Sequence, residues 1–326
     1  MTYSRMLQPR FYMDNPNWLV SRGLARSTIF SNNTGAGFDT FNTTGYNVYQ
    51  LFDGDPLNLC SFDTSTGTDT VSIKIDYTVV AMPTDFVCIM NHNLATAAGK
   101  IRVAHSTSPI TTVGGGTAVT FTEIFNGDVS GEFATPDNDY DTLLTFTSSD
   151  DRYWVIEFYD ISTWSATDLT IGNIILGEHY TMPSSPDLQV TQGPSFEGVN
   201  VSSSVGGRSF GTASWIMANG GTYTPFRAGT YFRKIAGRQS YDFAYGYVDD
   251  TNIRPSNMRS PASGANYLHD VVNKSGGELL PFIFTPDSTS TTEGDYLWAR
   301  FDQPDFRTTR QAWGVETFRT RIVQEF

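Results

Sequence analysis

The chain has 326 residues, of which 39% are hydrophobic, 14% aromatic and 17% charged, with a net charge of -13. The charged content is below the ~25% usual for soluble domains, and the abundance of aromatic, Ser, Thr, Gly and Asn residues favours strands and turns over helices. The length predicts two domains, and the acidic balance argues against tight duplex binding, which requires clustered Lys and Arg against phosphates.

Charge is distributed unevenly along the chain. Residues 1–26 carry four Arg against one Asp, residues 27–206 carry four cations against 21 acids, and residues 207–326 carry 13 cations against 12 acids. This change supports a domain boundary near residue 206. Arg outnumbers Lys by 17 to 4, and because guanidinium groups suit interfacial pairing, the excess indicates protein–protein contacts. A general preference for Arg in the genome explains it equally well.

The two cysteines do not form a disulfide framework. Cys88 lies in a continuous apolar run typical of a central strand, so Cys60 and Cys88 are expected to be free, buried thiols, consistent with assembly in a reducing cytoplasm. No apolar stretch approaches 18 residues, so no membrane span is predicted. The N-terminus lacks the hydrophobic core of a signal peptide.

Residues 1–30 are predicted to form an N-terminal arm followed by a short helix. Asp14 is a suitable N-cap, Pro16 suits the first helical turn, and Gly23 follows the apolar patch. The arm carries Arg5 and Arg10, whose charge is complementary to the acidic body of the chain.

Residues 31–185 are predicted to form a β-sandwich. Val71 to Val79 alternates apolar and polar residues, the pattern of a strand with one buried face. Together with the following segments it makes about eight strands separated by turn residues, which is typical of a sandwich. These segments are Phe86–Met90, Ile101–Val103, Val119–Phe121, Leu143–Thr147, Tyr153–Tyr159 and Leu169–Leu176.

The order of four segments resembles the discoidin-like, galactose-binding β-sandwich family. They are Asp85–Met90, Ile101–Ser106, Arg152–Phe158 and Ile171–Glu178. The resemblance implies apolar core strands and a closing strand, and it raises the hypothesis of binding to host surface glycan. His92, Asn93 and Trp164 are the candidate sugar contacts, although a plain turn residue is the preferred interpretation of His92 in its Asn-His-Asn sequence.

Residues 186–326 are predicted to form a second β domain after a linker, Tyr180–Gln192, that contains two prolines. Its one predicted helix spans Ser263–Lys274, with one apolar face, a serine cap and Gly276-Gly277 at its end. A sandwich with a single helix before its last strands resembles the tail-tube and distal-tail ring fold of bacteriophages.

The last fifty residues contain an apolar phrase, Leu279–Asp287, then a Ser/Thr/Gly loop and two strand-like runs, Tyr296–Phe301 and Trp313–Val323. This ending resembles the closing segment of tail structural proteins from tailed bacteriophages. The resemblance implies a structural protein of the tail tip or baseplate, assembled in the host cytoplasm and located in the virion. It further implies a ring of six copies around the tail axis, in contact with tube, hub and fibre proteins.

Closed rings need two different surfaces on each copy. The candidate interface cations are those of the arm and of the last strands, expected to pair with acids on a neighbouring copy. They are Arg5, Arg10, Arg307, Arg310, Arg319 and Arg321.

Motifs for catalysis or metal binding are weak, so we predict neither an enzyme nor a cofactor. Gly207–Gly211 fits the G-x-S-x-G nucleophile pattern at Ser209, but that motif needs a strand before it and a helix after it. Asp137, Asp139 and Asp141 alternate as in some calcium loops, but they lack the glycine and glutamate of an EF-hand. The four histidines are dispersed, without metal-ligand spacing.

Overall fold

The computed structural model describes residues 6–33, 38, 41, 46–65, 70–78, 82–195, 199–203, 205, 209–213, 226, 238–254 and 266–325. Strands dominate this part of the chain. They are β1 Arg10–Asp14, β2 Phe30–Asn32, β3 Cys60–Phe62, β4 Val71–Asp76, β5 Thr84–His92, β6 Gly99–Ser106, β7 Thr117–Ala118, β8 Phe121–Phe125, β9 Asp128–Ser130, β10 Phe133–Thr135, β11 Tyr140–Ser149, β12 Tyr153–Asp160, β13 Leu169–Ile171, β14 Asn173–Thr181, β15 Thr191–Ser195, β16 Val199–Ser203, β17 Ser209–Ala213, β18 Arg238–Asp249, β19 Phe282–Thr285, β20 Leu297–Phe301, β21 Thr308–Ala312 and β22 Val315–Gln324.

The described helices are all short. The α-helices are α1 Asn15–Ser21, α2 Arg26–Ile29, α3 Leu94–Ala97 and α4 Asp250–Ile253. One π-helix spans Leu268–Asn273, and two 3-10 turns span Val48–Phe52 and Glu293–Asp295. No described helix is long and apolar enough to cross a membrane.

One 11-stranded antiparallel sheet runs through both halves of the chain. Its order is β15-β18-β22-β20-β19-β1-β14-β5-β11-β8, with β21 also paired to β22. A second sheet of seven strands has the order β2-β4-β12-β6-β10-β9, with β7 paired to β6. The prediction of an all-β protein is therefore confirmed.

The described part of the N-terminal arm contains β1, a strand at the centre of the large sheet. Phe11 of β1 pairs with Tyr180 of β14 on one side and with Phe284 of β19 on the other. The predicted helix follows at once, and Asp14 accepts a 3.0 Å hydrogen bond from the main-chain N–H of Asn17. One sheet thus crosses the expected boundaries, and the division into residues 1–30, 31–185 and 186–326 stays a prediction.

The β-sandwich is formed where the second sheet packs on β5, β11 and β14 of the large sheet. Because side chains alternate along a strand, one set faces the space between the sheets. Val87 and Ile89 of β5 pack there with Ile156 of β12 and Val103 of β6, all fully buried. Most of the predicted strands lie within this sandwich, but the predicted strand Leu169–Leu176 is divided into β13 and β14, which belong to different sheets. In addition, β5 continues through His92, which was expected in a turn.

The opposite face of the large sheet is also apolar. Phe86, Cys88 and Met90 alternate with the residues of the sandwich core, and they pack with Tyr12 and Trp298. Cys88 and Cys60 are both buried free thiols, as predicted. Burial raises the pKa of Cys88, so this thiol stays protonated and unreactive.

The C-terminal strands have their own core, on the same face of the large sheet as the sandwich. Phe284, Tyr245 and Phe318 pack there with Tyr267 next to the π-helix. The C-terminal part of the predicted helix Ser263–Lys274 is observed as this π-helix. Gly276 and Gly277 follow it in left-handed conformation, with φ of 62° and 71°. The start of that prediction, at Ser263, lies outside the described residues. Strand β21 was not predicted.

A buried ionic contact joins the two cores. Lys274, at the end of the π-helix and 3% exposed, donates to Glu178 of β14 at 2.6 Å and to Asn15 of α1 at 3.0 Å. The indole N–H of Trp18 donates to the carbonyl of Asn273 at 3.1 Å. These bonds connect α1, β14 and the π-helix, so the position of the C-terminal helix is tied to the sandwich.

Candidate functional site

Three loops meet at the end of the sandwich where β5 finishes and β11 begins. The side chain of Asn91 donates to the carbonyl of Pro56 at 2.7 Å, while its main-chain N–H donates to Asp141 at 2.9 Å. Asn91 has a φ of 52°, a conformation that Asn tolerates better than most residues. The loop at residues 53–59 is thereby fixed to the start of β11.

His92 lies beneath this surface, with 2% of its area exposed. Its Nδ1 accepts from the main-chain N–H of Leu94 at 3.2 Å, so Nε2 carries the proton and donates to Thr142 Oγ1 at 2.8 Å. Burial lowers the pKa of His92 to about 3, against a weaker opposing effect of Asp139. Both ring nitrogens are occupied within the chain, which favours a structural role for this candidate sugar contact.

Asn126 extends the same hydrogen-bond network to the third loop. Its side chain accepts from the N–H of Asn138 and donates to the carbonyls of Asn138 and Asp141, each at 2.8 Å. Like Asn91, it has a positive φ, of 59°. The network holds the loop that precedes Tyr140 in one conformation.

Tyr140 stands at the rim of this loop end, 38% exposed and with a φ of 98°. A bulky side chain rarely adopts such a backbone conformation, because Cβ meets the main chain, and strained residues concentrate at binding sites. Asp137, Asn138 and Leu57 are also exposed there. We call these four residues, Leu57, Asp137, Asn138 and Tyr140, the loop-end surface. Sequence reasoning missed Tyr140, since a backbone angle leaves no signal in composition.

The other two candidate sugar contacts are also engaged within the chain. Trp164 is 8% exposed and packs over Gly99, where an added Cβ would lie 2.8 Å from the indole ring. Asn93 donates to the carbonyl of Asp168 at 2.8 Å and accepts from the N–H of Thr170 at 2.7 Å. Trp164 therefore seals the end of the core, and Asn93 fixes a loop.

The alternating aspartates hold main-chain groups. Asp139 accepts from the N–H of Thr96 at 2.9 Å, and Asp141 accepts from the N–H groups of Asn91 and Phe226. Asp137 is exposed. Across the described residues, no three His, Cys, Asp or Glu side chains come together as metal ligands.

The candidate interface cations of the C-terminal strands pair with acids of the same chain. Their partners are Asp305 for Arg307, Asp250 for Arg310, Asp242 for Arg319 and Asp302 for Arg321. Arg10 donates to Thr181 at 2.7 Å, and Arg5 lies outside the described residues. These arginines were expected to pair with acids of a neighbouring copy. In the structure, the four C-terminal ones form ion pairs within their own chain.

Ser209 is the first residue of β17, which pairs with β16. A nucleophile elbow places its serine in a sharp turn between a strand and a helix. A serine that begins a strand does not fit that motif. Gly207 and Arg208 lie outside the described residues.

Two aromatic side chains protrude at one end of the C-terminal strands. Trp313, in the turn between β21 and β22, is 94% exposed, and Tyr247 of β18 is 83% exposed. The strand pairs Asp249–Val315 and Ala312–Val315 place both segments at the same end of the sheet. Large exposed aromatics are typical anchors of binding surfaces. Trp313 was predicted to lie in a strand, and the alternation of apolar residues did not reveal its exposure.

Comparison with known proteins finds no matching family model and no matching curated protein. Several solved structures match part of the chain. A chitosan-binding module of a chitosanase/glucanase from Paenibacillus sp. IK-5 is 14% identical, with a TM-score of 0.32, over 46% of this chain and 93% of the module. A structure from the β-galactosidase of Streptococcus pneumoniae is 11% identical, with a TM-score of 0.33, over 45% of this chain and 96% of that one.

The module CBM32-1 of a family 31 glycoside hydrolase from Clostridium perfringens is also similar. It is 11% identical, with a TM-score of 0.30, over 46% of this chain and 94% of the module. Each similarity covers about half of this chain. The predicted relation to phage tails stays a prediction.

Proposed function

We propose that the chain is a carbohydrate-binding protein, without catalytic activity, that recognises host surface glycan from a bacteriophage tail tip. The observation that carries the proposal is Tyr140, which is exposed and has a strained backbone conformation. It lies on a loop end that is held in one conformation by hydrogen bonds. Aromatic rings provide flat apolar contact area with a polar tip, which suits the apolar face of a sugar ring. Asp137 and Asn138 beside it offer hydrogen-bonding groups for sugar hydroxyls.

Rigidity of the loop end supports the same conclusion. Binding costs less when the contacting groups are already ordered. The side chains of His92, Asn126 and Asp141 accept hydrogen bonds from main-chain N–H groups, and these bonds order the loops. None of the three residues is exposed. The candidates predicted from the sequence thus support the surface, while the contacts with sugar are proposed for the loop-end surface.

The test is binding of the labelled full chain to a glycan array, with Tyr140→Gly and Tyr247→Ala as matched variants. Glycine suits a φ of 98°, so Tyr140→Gly removes the ring without adding strain. We expect at least about tenfold weaker glycan binding by Tyr140→Gly, the loss of ~1.4 kcal/mol, with no decrease in melting temperature. Tyr247→Ala should bind like the wild type. Equal binding by all three proteins, or no glycan bound by the wild type, would contradict the proposal.

A second candidate function is that of a ring-forming structural protein of the tail tip or baseplate. The exposed pair Trp313 and Tyr247 favours it, because Trp and Tyr dominate the binding energy of many protein interfaces. The partners would be further copies, six in a closed ring, and the tube, hub and fibre proteins of the tail. In this proposal the aromatic side chains, more than the internally paired arginines, supply the contact energy.

A further inference from the structure

A cleft of about 260 Å³ lies between the end of α1, the end of the π-helix and the loop after β20. Its lining includes Arg22, Val272, Asn273, Phe301, Gln303 and Phe306. The cleft belongs to the C-terminal core and is separate from the loop-end surface. Sites for drug-sized ligands span about 300–1,000 Å³, so this volume suits a compact molecule with a single ring.

One wall of the cleft is apolar and firmly held. Phe301 is 3% exposed, and Phe306 packs against Tyr267 and Phe318 with ring centroids 5.3 and 5.1 Å apart. Val272 of the π-helix continues this wall. π-Helical turns are rare and occur frequently at functional sites. The apolar wall matches the face of a ring.

The polar groups of the cleft are mainly hydrogen-bond donors. Arg22 is exposed, its guanidinium lies 5.4 Å from the Trp18 ring, and no acid of the described chain forms an ion pair with it. Gln303, which lines the cleft, accepts from the N–H of Arg321 at 2.9 Å with its Oε1, so the hydrogen-bonding capacity left on its amide is that of the NH₂ donor.

The acid in the lining is already compensated. Asp305 accepts from Arg307 Nε at 2.6 Å, and the neighbouring Lys274 is committed to Glu178. Among the described residues around the cleft, Arg22 is consequently the charged group without an ion-pair partner. A guanidinium binds a carboxylate through two parallel hydrogen bonds, which makes an anion the complementary ligand.

We propose that this cleft binds a small ring compound bearing a carboxylate, of the sugar-acid class. The carboxylate contacts Arg22 and the Gln303 amide, while the ring packs against Phe306 and hydroxyls reach Asn273. This site is independent of the glycan proposal, since it uses residues of α1 and the C-terminal core that the loop-end surface does not include.

The test compares D-glucuronate with D-glucose by ligand-observed NMR titration of the full chain. The two probes share a ring, and they differ in carrying a carboxylate or a hydroxymethyl group. We expect saturable binding of glucuronate and at least tenfold weaker binding of glucose. Equal affinity for the two sugars, or no saturable binding of glucuronate, would overturn the proposal.

Three variants locate the site. Arg22→Gln removes the cation, and Asn273→Asp adds an anion at an exposed position whose main-chain bond to Trp18 is retained. Both should weaken glucuronate binding at least tenfold while melting curves stay unchanged. Arg152→Gln is the matched control, because it removes an equal charge from the distant Asp76 ion pair of the sandwich. Wild-type affinity in Arg22→Gln, or the same loss in Arg152→Gln, would place any binding elsewhere.

Discussion

Burial keeps the His92 imidazole neutral, and its two hydrogen bonds depend on that state. Nδ1 must accept from Leu94, which a protonated ring cannot do. The folded-state pKa of about 3 lies below the ordinary value of 6.5. Between these values the unfolded chain binds a proton that the folded chain does not, so stability falls as pH decreases through this window.

The shifted pKa of Asp14 has the opposite effect on the pH dependence of stability. Burial raises its pKa from 3.8 to about 6, although hydrogen bonds from Asn17 oppose the shift. Between those values the folded chain binds the extra proton, so this group lowers stability as pH rises. The two effects oppose each other between about pH 4 and 6, and a stability profile of the wild type alone does not separate them.

We therefore predict a pH-dependent difference between His92→Gln and the wild type. At pH 7.5 the variant should be less stable, because a buried group loses its matched partners, at a cost of about 1–3 kcal/mol. On lowering the pH to 5 the difference should shrink by about 2 kcal/mol, as the wild type loses its His92 contribution. Urea unfolding at both pH values measures it, and a constant difference would show that His92 titrates normally.

At the scale of single elements, β1 is the strand on which the large sheet depends. It lies between β14 of the sandwich and β19 of the C-terminal half, and Phe11 and Tyr12 contribute to cores on opposite faces. Its close approach to β14 requires a glycine. A Cβ on Gly177 would lie 1.8 Å from the carbonyl oxygen of Met13.

We predict that Gly177→Ala destabilises the fold by about 3 kcal/mol, the upper range for forcing an extra methyl group into a packed site. Backbone atoms of a central strand cannot move aside as a flexible side chain does. Gly193→Ala in β15 is the matched control, since nothing lies within 4 Å of its added Cβ. Denaturant unfolding of the two variants checks the contrast, and equal stability would show that β1 does not pack on β14 as described.

The loop end, like β1, is held in place by contacts with segments that are distant in sequence. Asn91 and Asn126 take left-handed conformations and use their side chains to bind neighbouring loops. Sequence reasoning recognised the Asn-rich turn near His92 but not its network, because the partners are distant in sequence. Asn126 and Asp141, for example, are 15 residues apart and belong to different segments.

For the whole molecule, the continuous sheet and the Lys274 contact make the sandwich and the C-terminal strands one framework. A fragment of residues 31–185 would lack β1 and would leave one edge of β14 unpaired. Unpaired edges promote aggregation. Binding and assembly are therefore best measured on the full chain.

The ring hypothesis predicts self-association that depends on Trp313. We expect native mass spectrometry of the full chain to show assemblies of several copies, with a single closed species predominant. Trp313→Ser should reduce the assembled fraction strongly, because it removes an aromatic anchor. Leu188→Ser, at another fully exposed position, should leave it unchanged. A monomer at all concentrations, or an equal effect of both substitutions, would contradict the hypothesis.

Local patterns in the sequence were sufficient for the all-β class, most sandwich strands and the helix after Asp14. Alternation of apolar residues and a capping side chain act over a few residues, so they are readable from the chain alone. Tertiary structure decided the rest: β1 as a central strand, the internal pairing of the arginines, the burial of His92 and Trp164, and the exposure of Tyr140. Each of these depends on which distant segment lies beside a residue, and contacts between distant segments leave no periodic signal in one sequence.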